Sequence, residues 1–328
     1  MEKLKLGVIG TGHLGKLHIK MLKNSRNGNF IGIYDSNAEQ AKLAGAEYMV
    51  EIFEDIDTLL ANVDAVSVAA TTSAHYEVCK KCLTAGVHVF VEKPITTTIE
   101  EAEELIKIAA EKKLNFQVGH IERFNPALLS LEKYILEPMF IQTDRLAQFN
   151  PRGTDVAVVL DLMIHDIDII LSLIKSPVKQ IDASGVAVVS ESLDIANARL
   201  LFENGAVANV TASRISQKRM RKMRLFQRDT YLSLDFTTGV SEVYRLTGVD
   251  DVTPHSVSFG EIGVGEKKKL VVYEQPEVME VNALQYELQL FVDSVLKSEK
   301  PVVSGEDGLR ALQVAQTIIQ KIEESKII

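Results

Sequence analysis

Short apolar runs alternate with helical patterns over the first 121 residues of the chain. Runs of this kind predict strands that are buried on both faces, as in a parallel sheet. The predicted strands are residues 5–9, 30–34, 64–69, 87–91 and 115–119, and the predicted helices lie near 14–24, 38–46, 55–61, 75–85 and 98–112. This alternation predicts an α/β domain built on a doubly wound parallel sheet.

The pattern changes after about residue 121. A helix is predicted near 126–136, and strand-like runs follow at 140–149, 180–190, 195–202, 206–214, 219–226 and 230–235. The turn residues Glu203-Asn204-Gly205 separate two of these runs, which predicts a hairpin and antiparallel pairing. Apolar-periodic helices near 281–298 and 305–325 follow. We therefore expect two domains, residues 1–121 and residues 122–328, the second an α/β domain with an open, mostly antiparallel sheet.

Three glycines directly follow the first predicted strand. Gly10, Gly12 and Gly15 have the spacing G-x-G-x-x-G and stand immediately before a helical pattern. At this spacing the first glycine allows a tight turn, the second lets the backbone approach a pyrophosphate, and the third lets helix and strand pack closely. The helix N-terminus then faces the phosphates. This context predicts a Rossmann dinucleotide site that contains Gly10, Thr11, Gly12, His13, Leu14 and Gly15.

An acidic residue, Asp35, follows the second predicted strand. It lies 35 − 15 = 20 positions after Gly15, where a carboxylate accepts hydrogen bonds from both hydroxyls of a ribose. The same charge repels a 2′-phosphate, so NAD is the predicted cofactor and NADP is disfavoured. The alternative is a glycine turn that is followed by an unrelated acid.

Composition narrows the class of protein. The 328 residues are 46% hydrophobic and 25% charged, which is ordinary for a globular protein. The net charge of −9 argues against a broad nucleic-acid-binding surface. No apolar stretch reaches the length of a membrane span, and the sequence begins with a predicted strand instead of a secretory signal. We expect a cytoplasmic protein that binds neither nucleic acid nor membranes.

The two cysteines, Cys79 and Cys82, have the spacing C-x-x-C. A zinc site would need a second pair of ligands nearby, and a redox motif should open a helix. These cysteines instead fall inside the helix predicted near 75–85. We therefore predict two reduced thiols and no metal site.

Glu92-Lys93-Pro94 directly follows the strand predicted at 87–91. It should therefore lie at the carboxyl edge of the sheet, where open α/β folds bind ligands. Lys93 could donate a hydrogen bond to a substrate oxygen, and a cis Lys93-Pro94 bond would help to aim its side chain. The alternative is a surface lysine beside a turn proline.

A second group of ionisable residues lies on an otherwise apolar helical pattern. Asp161, His165, Asp168 and Ser172 recur at helical spacing, opposite the apolar stripe Met163, Ile167, Ile170 and Ile174. Such a polar stripe should face a hydrated cleft. His165 can act as a general base, with Asp161 or Asp168 orienting it. The alternatives are a core histidine paired with one aspartate, and a metal cluster of His165, Asp161 and Asp166.

These motifs together resemble the glucose-fructose oxidoreductase, inositol dehydrogenase and rhizopine-catabolism (Gfo/Idh/MocA) family. The resemblance covers essentially the whole chain and rests on Gly10 to Gly15, Glu92-Lys93-Pro94, and Asp161 with His165. It implies NAD(P)-dependent oxidation or reduction of sugar-like hydroxyls, with Lys93, Asp161 and His165 as the catalytic set. It also implies a homodimer or homotetramer formed through the open sheet.

The resemblance extends the cofactor and substrate sites. Thr71, His75, Glu92 and Lys93 complete the implied cofactor site, although relatives commonly have proline and asparagine after the first threonine of Thr71-Thr72-Ser73. The segment from Gly119 to Pro126 is similar to that of one subgroup, the UDP-N-acetylglucosamine 3-dehydrogenases. This similarity implies oxidation of the 3-hydroxyl of a UDP-N-acetyl-hexosamine to a ketone. The implied substrate contacts are Lys93, His120, Arg123, Asn125, Asp161, His165 and Arg214.

Arg214 begins an unusually basic stretch that continues to Arg228. Such charge could bind a diphosphate, or it could solvate an exposed strand or meet a partner subunit. The sequence leaves three functions open: a dehydrogenase of a nucleotide sugar, a dehydrogenase of a free polyol such as an inositol, and an NAD-binding sensor or scaffold without catalysis.

Overall fold

The computed structural model describes residues 3–150, 156–248, 257–264 and 268–325. The chain divides into two compact units. Unit 1 is Met1–Phe124 together with Val281–Gln313, and unit 2 is Asn125–Glu280 together with Val314–Ile328. The domain boundary predicted at residue 121 lies three residues before the end of the first segment of unit 1, at Phe124. Residues 281–313 belong to unit 1, whereas the sequence analysis assigned them to the C-terminal domain.

The described part of unit 1 contains one parallel sheet and the helices that cover it. Its strands are β1 (Leu4–Ile9), β2 (Gly28–Tyr34), β3 (Glu51–Ile52), β4 (Ala65–Val68), β5 (His88–Glu92) and β6 (Phe116–Gly119). Its helices are α1 (His13–Lys23), α2 (Ala38–Tyr48), α3 (Ile56–Leu60), α4 (Thr72–Thr84) and α5 (Ile99–Lys112). A 3₁₀ turn follows at Ile121–Phe124. The predicted parallel sheet is confirmed; β3 was not predicted because two residues are too few to show a period.

The strand order of this sheet creates the crevice that a cofactor needs. The order is β3-β2-β1-β4-β5-β6, and every neighbouring pair is parallel. The order reverses between β1 and β4, so the connections that follow these two strands leave in opposite directions. Open α/β sheets bind ligands at this point, outside the carboxyl ends of the strands.

Two C-terminal helices are α8 (Ala283–Lys297) and α9 (Gly305–Ser325). The α8 side chains Leu284, Leu288, Phe291 and Val292 join the buried core of β1, α1 and β5. Phe291 packs edge-on against Phe90, with the ring centroids 5.8 Å apart. Because these contacts are to the parallel sheet, α8 belongs to unit 1. The helical period identifies the apolar face of α8 but not the sheet that this face covers.

Unit 2 contains a nine-stranded sheet. Its strands are β7 (Phe140–Leu146), β8 (Val178–Val186), β9 (Ile195–Phe202), β10 (Val207–Ser213), β11 (Met220–Gln227), β12 (Thr230–Asp235), β13 (Val240–Thr247), β14 (Val257–Ile262) and β15 (Lys269–Glu274). The order is β14-β15-β13-β12-β11-β7-β10-β9-β8. Strands β7 and β10 pair in parallel and the other neighbours pair antiparallel. The predicted, mostly antiparallel sheet is confirmed, and so is the hairpin at Gly205, which joins β9 to β10.

One face of this sheet carries a row of aromatic rings. The aromatic row consists of Phe140, Phe226, Tyr231, Tyr244 and Tyr273, one from each of five adjacent strands. Successive ring centroids are 5.8, 4.8, 5.4 and 5.1 Å apart. On the opposite face the side chains are buried, as the alternation of Met223 and Leu225 with exposed Phe226 on β11 shows. Side chains of the aromatic row therefore remain accessible.

The helix predicted near 126–136 is wrong in its length. Helix α6 covers only Pro126–Leu129, after Asn125, which caps it. Beyond it the backbone N–H groups of Leu131 and Glu132 donate to carbonyls three residues earlier. These tighter bonds replace the α-helical pattern and end the helix.

The strand predicted at 180–190 is also displaced. Strand β8 ends at Val186, because the N–H groups of Val188, Val189 and Ser190 donate to the carboxylate of Asp194 and not to a neighbouring strand. Strands β13, β14 and β15 were not predicted. They lie in a part of the chain whose alternation is interrupted by short polar turns, so a sequence window shows no sustained period.

Two further helices belong to unit 2. Helix α7 (Ile164–Leu173) is preceded by a π-helical turn at Val159–Met163. The predicted apolar stripe Met163, Ile167, Ile170 and Ile174 is fully buried. Within the described ranges of the chain, no helix is both long and apolar enough to cross a membrane.

Candidate active site

The three glycines of the dinucleotide motif lie between β1 and α1. Gly10 has a φ of 89°, and a Cβ at this position would lie 2.7 Å from the carbonyl oxygen of Ala69. A Cβ on Gly15 would lie 1.9 Å from the carbonyl oxygen of Gly10, so the helix can approach this turn only with a glycine there. A Cβ on Gly12 would meet no described atom within 4 Å. The space beside Gly12 is thus open to a ligand, as pyrophosphate binding requires.

Asp35 lies at the carboxyl end of β2 and is held by two backbone amides. The N–H and the hydroxyl of Thr11 donate to its Oδ2 over 2.6 and 2.8 Å, and the N–H of Asn37 donates to its Oδ1 over 2.8 Å. Each carboxylate oxygen keeps lone-pair capacity for a further donor. The carboxylate is therefore fixed in place and able to accept hydrogen bonds from ribose hydroxyls.

A cleft of about 1120 Å³ opens at this edge of the sheet. Its wall includes the predicted residues Gly10, Gly12, His13, Leu14, Asp35 and Thr71. The remaining wall is formed mainly by the loop after β4 and by one side of α4. The size and lining of the cleft fit a dinucleotide, because open backbone at the glycines and a ribose acceptor at Asp35 lie in one cavity.

His75 lies beneath the cleft wall and is almost fully buried. Its Nδ1 is 2.9 Å from the carbonyl oxygen of Pro94, and its Nε2 is 3.2 Å from the carbonyl oxygen of Ala70. Burial lowers the pKa of His75, which favours the neutral ring. A neutral ring has one N–H, so His75 donates a hydrogen bond to one of these two carbonyls and only contacts the other.

Lys93 directly follows β5, and the Lys93-Pro94 bond is cis, as the sequence suggested. The preceding residue, Glu92, points into the domain, where its Oε1 lies 3.0 Å from Nε2 of His18. Burial alone would raise the pKa of Glu92, but the hydrogen bond from His18 and the charge of Lys93 hold it below its ordinary value. Glu92 is therefore a buried carboxylate between a histidine and a lysine.

The other predicted substrate residues of unit 1 follow β6. His120 is buried, with 1% of its surface exposed. Arg123 lies in the 3₁₀ turn, where its guanidinium is 3.8 Å from the carboxylate of Asp307. Burial would raise the pKa of Asp307, but Arg123 and Arg310 hold it below its ordinary value. Arg123 is thus held in place from within unit 1.

Asn125 belongs to unit 2 and has a local structural role. Its side-chain oxygen accepts a hydrogen bond from the N–H of Ala127, and its amide donates to the carbonyl of Phe236. These bonds cap α6 and fasten it to the end of β12. Sequence reasoning placed this residue only on the substrate.

Asp161 and His165 lie on the segment that opens α7. Asp161 is in the π-helical turn and His165 is in the first turn of α7, and both are half-buried. The π turn was not predicted from the sequence. Because it inserts about one extra residue per turn, the residues before it are rotated relative to those after it, and such turns are frequent at functional sites.

The polar stripe predicted on this helix does not continue past His165. Asp168 is 1% exposed and therefore does not face a hydrated cleft. The hydroxyl of Ser172 donates to the carbonyl of Ile169 in its own helix. The expected exposure to a hydrated cleft is wrong at Asp168, and both Asp161 and Asp168 stay candidates for orienting His165.

Asp166 is paired with an arginine, which argues against the alternative of a metal cluster on this helix. Its two carboxylate oxygens accept hydrogen bonds from Nε and Nη2 of Arg145, both over 2.8 Å, and both side chains are 3% exposed. This bidentate pair joins α7 to β7. Across the described ranges, no group of three or more histidine, cysteine or acidic side chains is arranged to hold a metal ion.

Arg214 is buried in a network of its own. Its guanidinium donates to the carbonyls of Val156 and Leu193 and to the hydroxyl of Ser192, and its Nε lies 3.3 Å from Asp194. It thereby fastens the chain at Val156, shortly before the π turn, to the loop after β8. These contacts support a positioning role for Arg214 in unit 2.

Comparison with known proteins gives the chain its family. A model described as "Oxidoreductase family, NAD-binding Rossmann fold" matches residues 4–120, and a GFO/IDH/MocA C-terminal domain matches residues 140–238. The UDP-N-acetylglucosamine 3-dehydrogenase of Acidithiobacillus ferrooxidans is 36% identical over 324 residues, which are 98% of each chain. This chain belongs to the Gfo/Idh/MocA oxidoreductase family.

More distant relatives include inositol dehydrogenases. An inositol 2-dehydrogenase/D-chiro-inositol 3-dehydrogenase of Halalkalibacterium halodurans is 27% identical over 91% of this chain and 85% of its own. Among solved structures, that of the A. ferrooxidans UDP-N-acetylglucosamine 3-dehydrogenase GnnA superposes with a TM-score of 0.89 at 34% identity and covers 99% of both chains. The fold is thus shared, over 99% of both chains, with a protein that is named as a dehydrogenase.

Sequence reasoning missed the buried partners that hold these Gfo/Idh/MocA site residues. The sequence analysis singled out none of His18, Arg145 and Asp194. A histidine on the apolar face of a helix was the available signal for His18. Nothing in a local window could have paired it with Glu92, which is 74 positions away (92 − 18).

Proposed function

We propose that this protein is an NAD-dependent dehydrogenase that oxidises the 3-hydroxyl of a UDP-N-acetyl-hexosamine to a ketone. The observation that carries the proposal is the 36% identity, along 98% of the chain, to an enzyme named UDP-N-acetylglucosamine 3-dehydrogenase. The hydrogen bonds that fix Asp35 and the positions of Lys93 after β5 and His165 in the first turn of α7 support the chemistry independently of that name.

NAD, and not NADP, is the cofactor that the cleft supports. The carboxylate of Asp35 is fixed by Thr11 and Asn37 where the adenosine ribose would lie. It would accept bonds from both ribose hydroxyls, and its charge would repel a 2′-phosphate. We expect Asp35→Ser to reduce the NAD over NADP preference in kcat/KM by about tenfold to hundredfold, the effect of losing a hydrogen bond to a charged group.

Each candidate catalytic side chain has a role in removing two hydrogens from a carbinol. Lys93 donates a hydrogen bond to the substrate oxygen from the carboxyl edge of the parallel sheet. His165 accepts the hydroxyl proton, and Asp161, four residues earlier, orients the imidazole. A nicotinamide cofactor held by the glycine turn and Asp35 would supply the hydride acceptor for the carbon that bears this hydroxyl. The products are a ketone, NADH and a proton held by His165.

The nucleotide sugar is preferred over a free polyol because of the relatives. The A. ferrooxidans enzyme is 36% identical over 98% of the chain, whereas the inositol dehydrogenases that match 91% of the chain or more are 27% identical or less. Two residues of the basic stretch form ion pairs within the nine-stranded sheet: Lys222 lies 3.6 Å from Asp235, and Arg224 lies 3.6 Å from Asp144. These two pairs are contacts within unit 2. A free polyol such as an inositol is the second candidate, since several relatives carry that name.

We further propose assembly into a homodimer or homotetramer through the face of the nine-stranded sheet that bears the aromatic row. Phe226 is 41% exposed there and the other four rings of the row are half-buried, and a continuous row of partly exposed aromatic rings is suited to an interface. Phe226→Glu should give a monomer in size-exclusion chromatography with light scattering. An unchanged mass would contradict the interface. A cytoplasmic location stays a prediction from the sequence.

The test of the function is NADH formation, followed by absorbance, when purified protein is mixed with NAD and UDP-N-acetylglucosamine. Lys93→Met and His165→Asn are measured beside Lys42→Met, which removes an exposed lysine of α2 and serves as the matched control. Turnover that both site variants abolish and the control retains would support the proposal. A parallel reaction contains myo-inositol in place of the nucleotide sugar.

Turnover of inositol alone would replace the proposed substrate with a free polyol. Absence of NADH with either substrate, even after a keto acid is added to reoxidise trapped NADH, would contradict the dehydrogenase proposal. Binding of NADH without any turnover would then favour a non-catalytic NAD-binding protein.

A further inference from the structure

Three side chains from three elements form a chain of close polar contacts that ends at Glu92, the residue before Lys93. Ser67 lies on β4, His18 on α1 and Glu92 at the end of β5. The hydroxyl oxygen of Ser67 is 2.6 Å from Nδ1 of His18, and Nε2 of His18 is 3.0 Å from Oε1 of Glu92. Ser67 and His18 are at most 1% exposed, and the side chain of Glu92 is 13% exposed.

The surroundings hold this chain in one arrangement. The His18 ring packs edge-on against Phe90, with centroids 5.6 Å apart, so its two nitrogens have fixed directions. The β6 residue opposite Glu92 is Gly119, where a Cβ would lie 3.1 Å from the Glu92 carboxylate. The carboxylate therefore occupies space that the absence of a side chain on Gly119 leaves.

The proton positions in the chain follow from the chemistry of its members. Ionised Glu92 can only accept, so the 3.0 Å contact is favourable when Nε2 of His18 carries the proton. In that tautomer Nδ1 accepts the hydroxyl proton of Ser67 over 2.6 Å. The N–H at Nε2 then lies beside the carboxylate, in a place where an isolated carboxylate would be costly.

We propose that Ser67, His18 and Glu92 act together as positioning residues that fix the carboxyl end of β5 and keep the Lys93 ammonium charged. This inference rests on the proposed role of Lys93 in the dehydrogenase. The titratable groups around the carboxylate are His18 from α1, Lys93 from the end of β5 and His75 from α4. Because Lys93 is the neighbour of Glu92 in the chain, the negative charge lies where it favours the protonated, hydrogen-bond-donating amine.

The experiment reads Lys93 directly and needs no substrate. Lysines are reductively methylated with ¹³C-formaldehyde, the Lys93 signal is assigned by its absence in Lys93→Arg, and its chemical shift is followed against pH. We expect Glu92→Gln, which keeps the shape of the side chain, to lower the pKa of Lys93 by about one, a tenfold weaker proton affinity. His88→Gln is the matched control, since it alters the opposite end of the same strand.

A set of substitutions at His18 separates positioning from general destabilisation. His18→Leu removes the donor to Glu92 and should lower both the pKa of Lys93 and kcat, the latter about tenfold or more, with the Kd for NADH unchanged. His18→Gln can still donate to Glu92 and should restore much of both. If either Glu92→Gln or His18→Leu folds and titrates Lys93 as the wild type does, the proposal is overturned.

Failure of the proposed function would look different. A wild-type protein without turnover, in which the pKa of Lys93 still depends on Glu92, would contradict the dehydrogenase assignment and retain the positioning chain. Normal turnover by a folded Glu92→Gln with an unchanged Lys93 titration would contradict the chain and retain the dehydrogenase.

Discussion

The buried pair of Arg145 and Asp166 gives a sharp prediction about unit 2. Arg145→Met removes the guanidinium from a carboxylate that is 3% exposed and that accepts two hydrogen bonds of 2.8 Å from it. The carboxylate then stays buried without its cation, which costs about 3–5 kcal/mol. Since α7 is joined to β7 by this pair, we expect the loss of stability to be centred on these two elements.

The measurement is hydrogen exchange by mass spectrometry on peptides from β7 and α7, which reports the opening of unit 2 separately from unit 1. Arg224→Met is the matched control. It removes a second arginine that lies 3.6 Å from an aspartate, Asp144, on the same strand β7, but this pair is 37% and 24% exposed. An exposed pair contributes below about 1 kcal/mol, so the control should change exchange little.

A double variant completes the argument. Arg145→Met combined with Asp166→Leu removes both charges and should recover most of the loss, because an apolar pair of similar volume is often as stable as a buried ion pair. An Arg145→Met variant that costs no more than Arg224→Met would refute the reasoning. So would a double variant that is less stable than Arg145→Met alone.

Three further outcomes are expected. Gly12→Ala should fold with unchanged Tm but bind NADH about a hundredfold or more weakly, because its Cβ would fill only the space left for the pyrophosphate. Gly15→Ala should lower Tm as well, because its Cβ would lie 1.9 Å from a backbone oxygen. Burial would raise the pKa of Asp194, but four hydrogen bonds hold it well below its ordinary value. The contribution of Asp194 to stability is therefore complete above the unfolded-state pKa near 4 and is lost as the pH falls through the lower folded-state pKa. Asp194→Asn should lower Tm at neutral pH, and the Tm of this variant should fall less steeply than that of the wild type between about pH 4 and 2. An equally steep fall of Tm in the variant would contradict this. Burial raises the pKa of Cys82 to about 12 and that of Cys79 well above its ordinary value. Neither thiol should therefore react with 5,5′-dithiobis(2-nitrobenzoic acid) until the protein is unfolded in urea. Rapid reaction of the native protein would contradict the buried position of these thiols.

The parallel sheet and the dinucleotide motif could be predicted because their signals are local. A buried parallel strand is apolar throughout, and the turn at Gly10 needs particular residues within six positions. Asp35 could be placed from its distance in sequence to Gly15, since one helix and one strand of ordinary length connect them. In each case the interacting groups are linked by a short segment of regular structure.

The short α6 and the π turn before α7 are local departures from a regular helix, and the apolar period of the sequence does not distinguish them.

Other features depended on partners that are distant in the chain. The role of Arg214 is decided by Asp194 and Val156, which the sequence pattern placed in unrelated segments. Substrate binding was the sequence expectation for Arg214, and its burial favours a positioning role instead.

The sequence by itself determined the α/β class, the cofactor motif and the candidate catalytic side chains Lys93, Asp161 and His165, because these follow from short patterns and from resemblance to a family. Only the tertiary structure decided which buried groups hold the motif residues, as His18 holds Glu92 and Arg145 holds Asp166. The physical reason is that a buried charge must find a partner in space, and no period in the sequence records which distant residue supplies it.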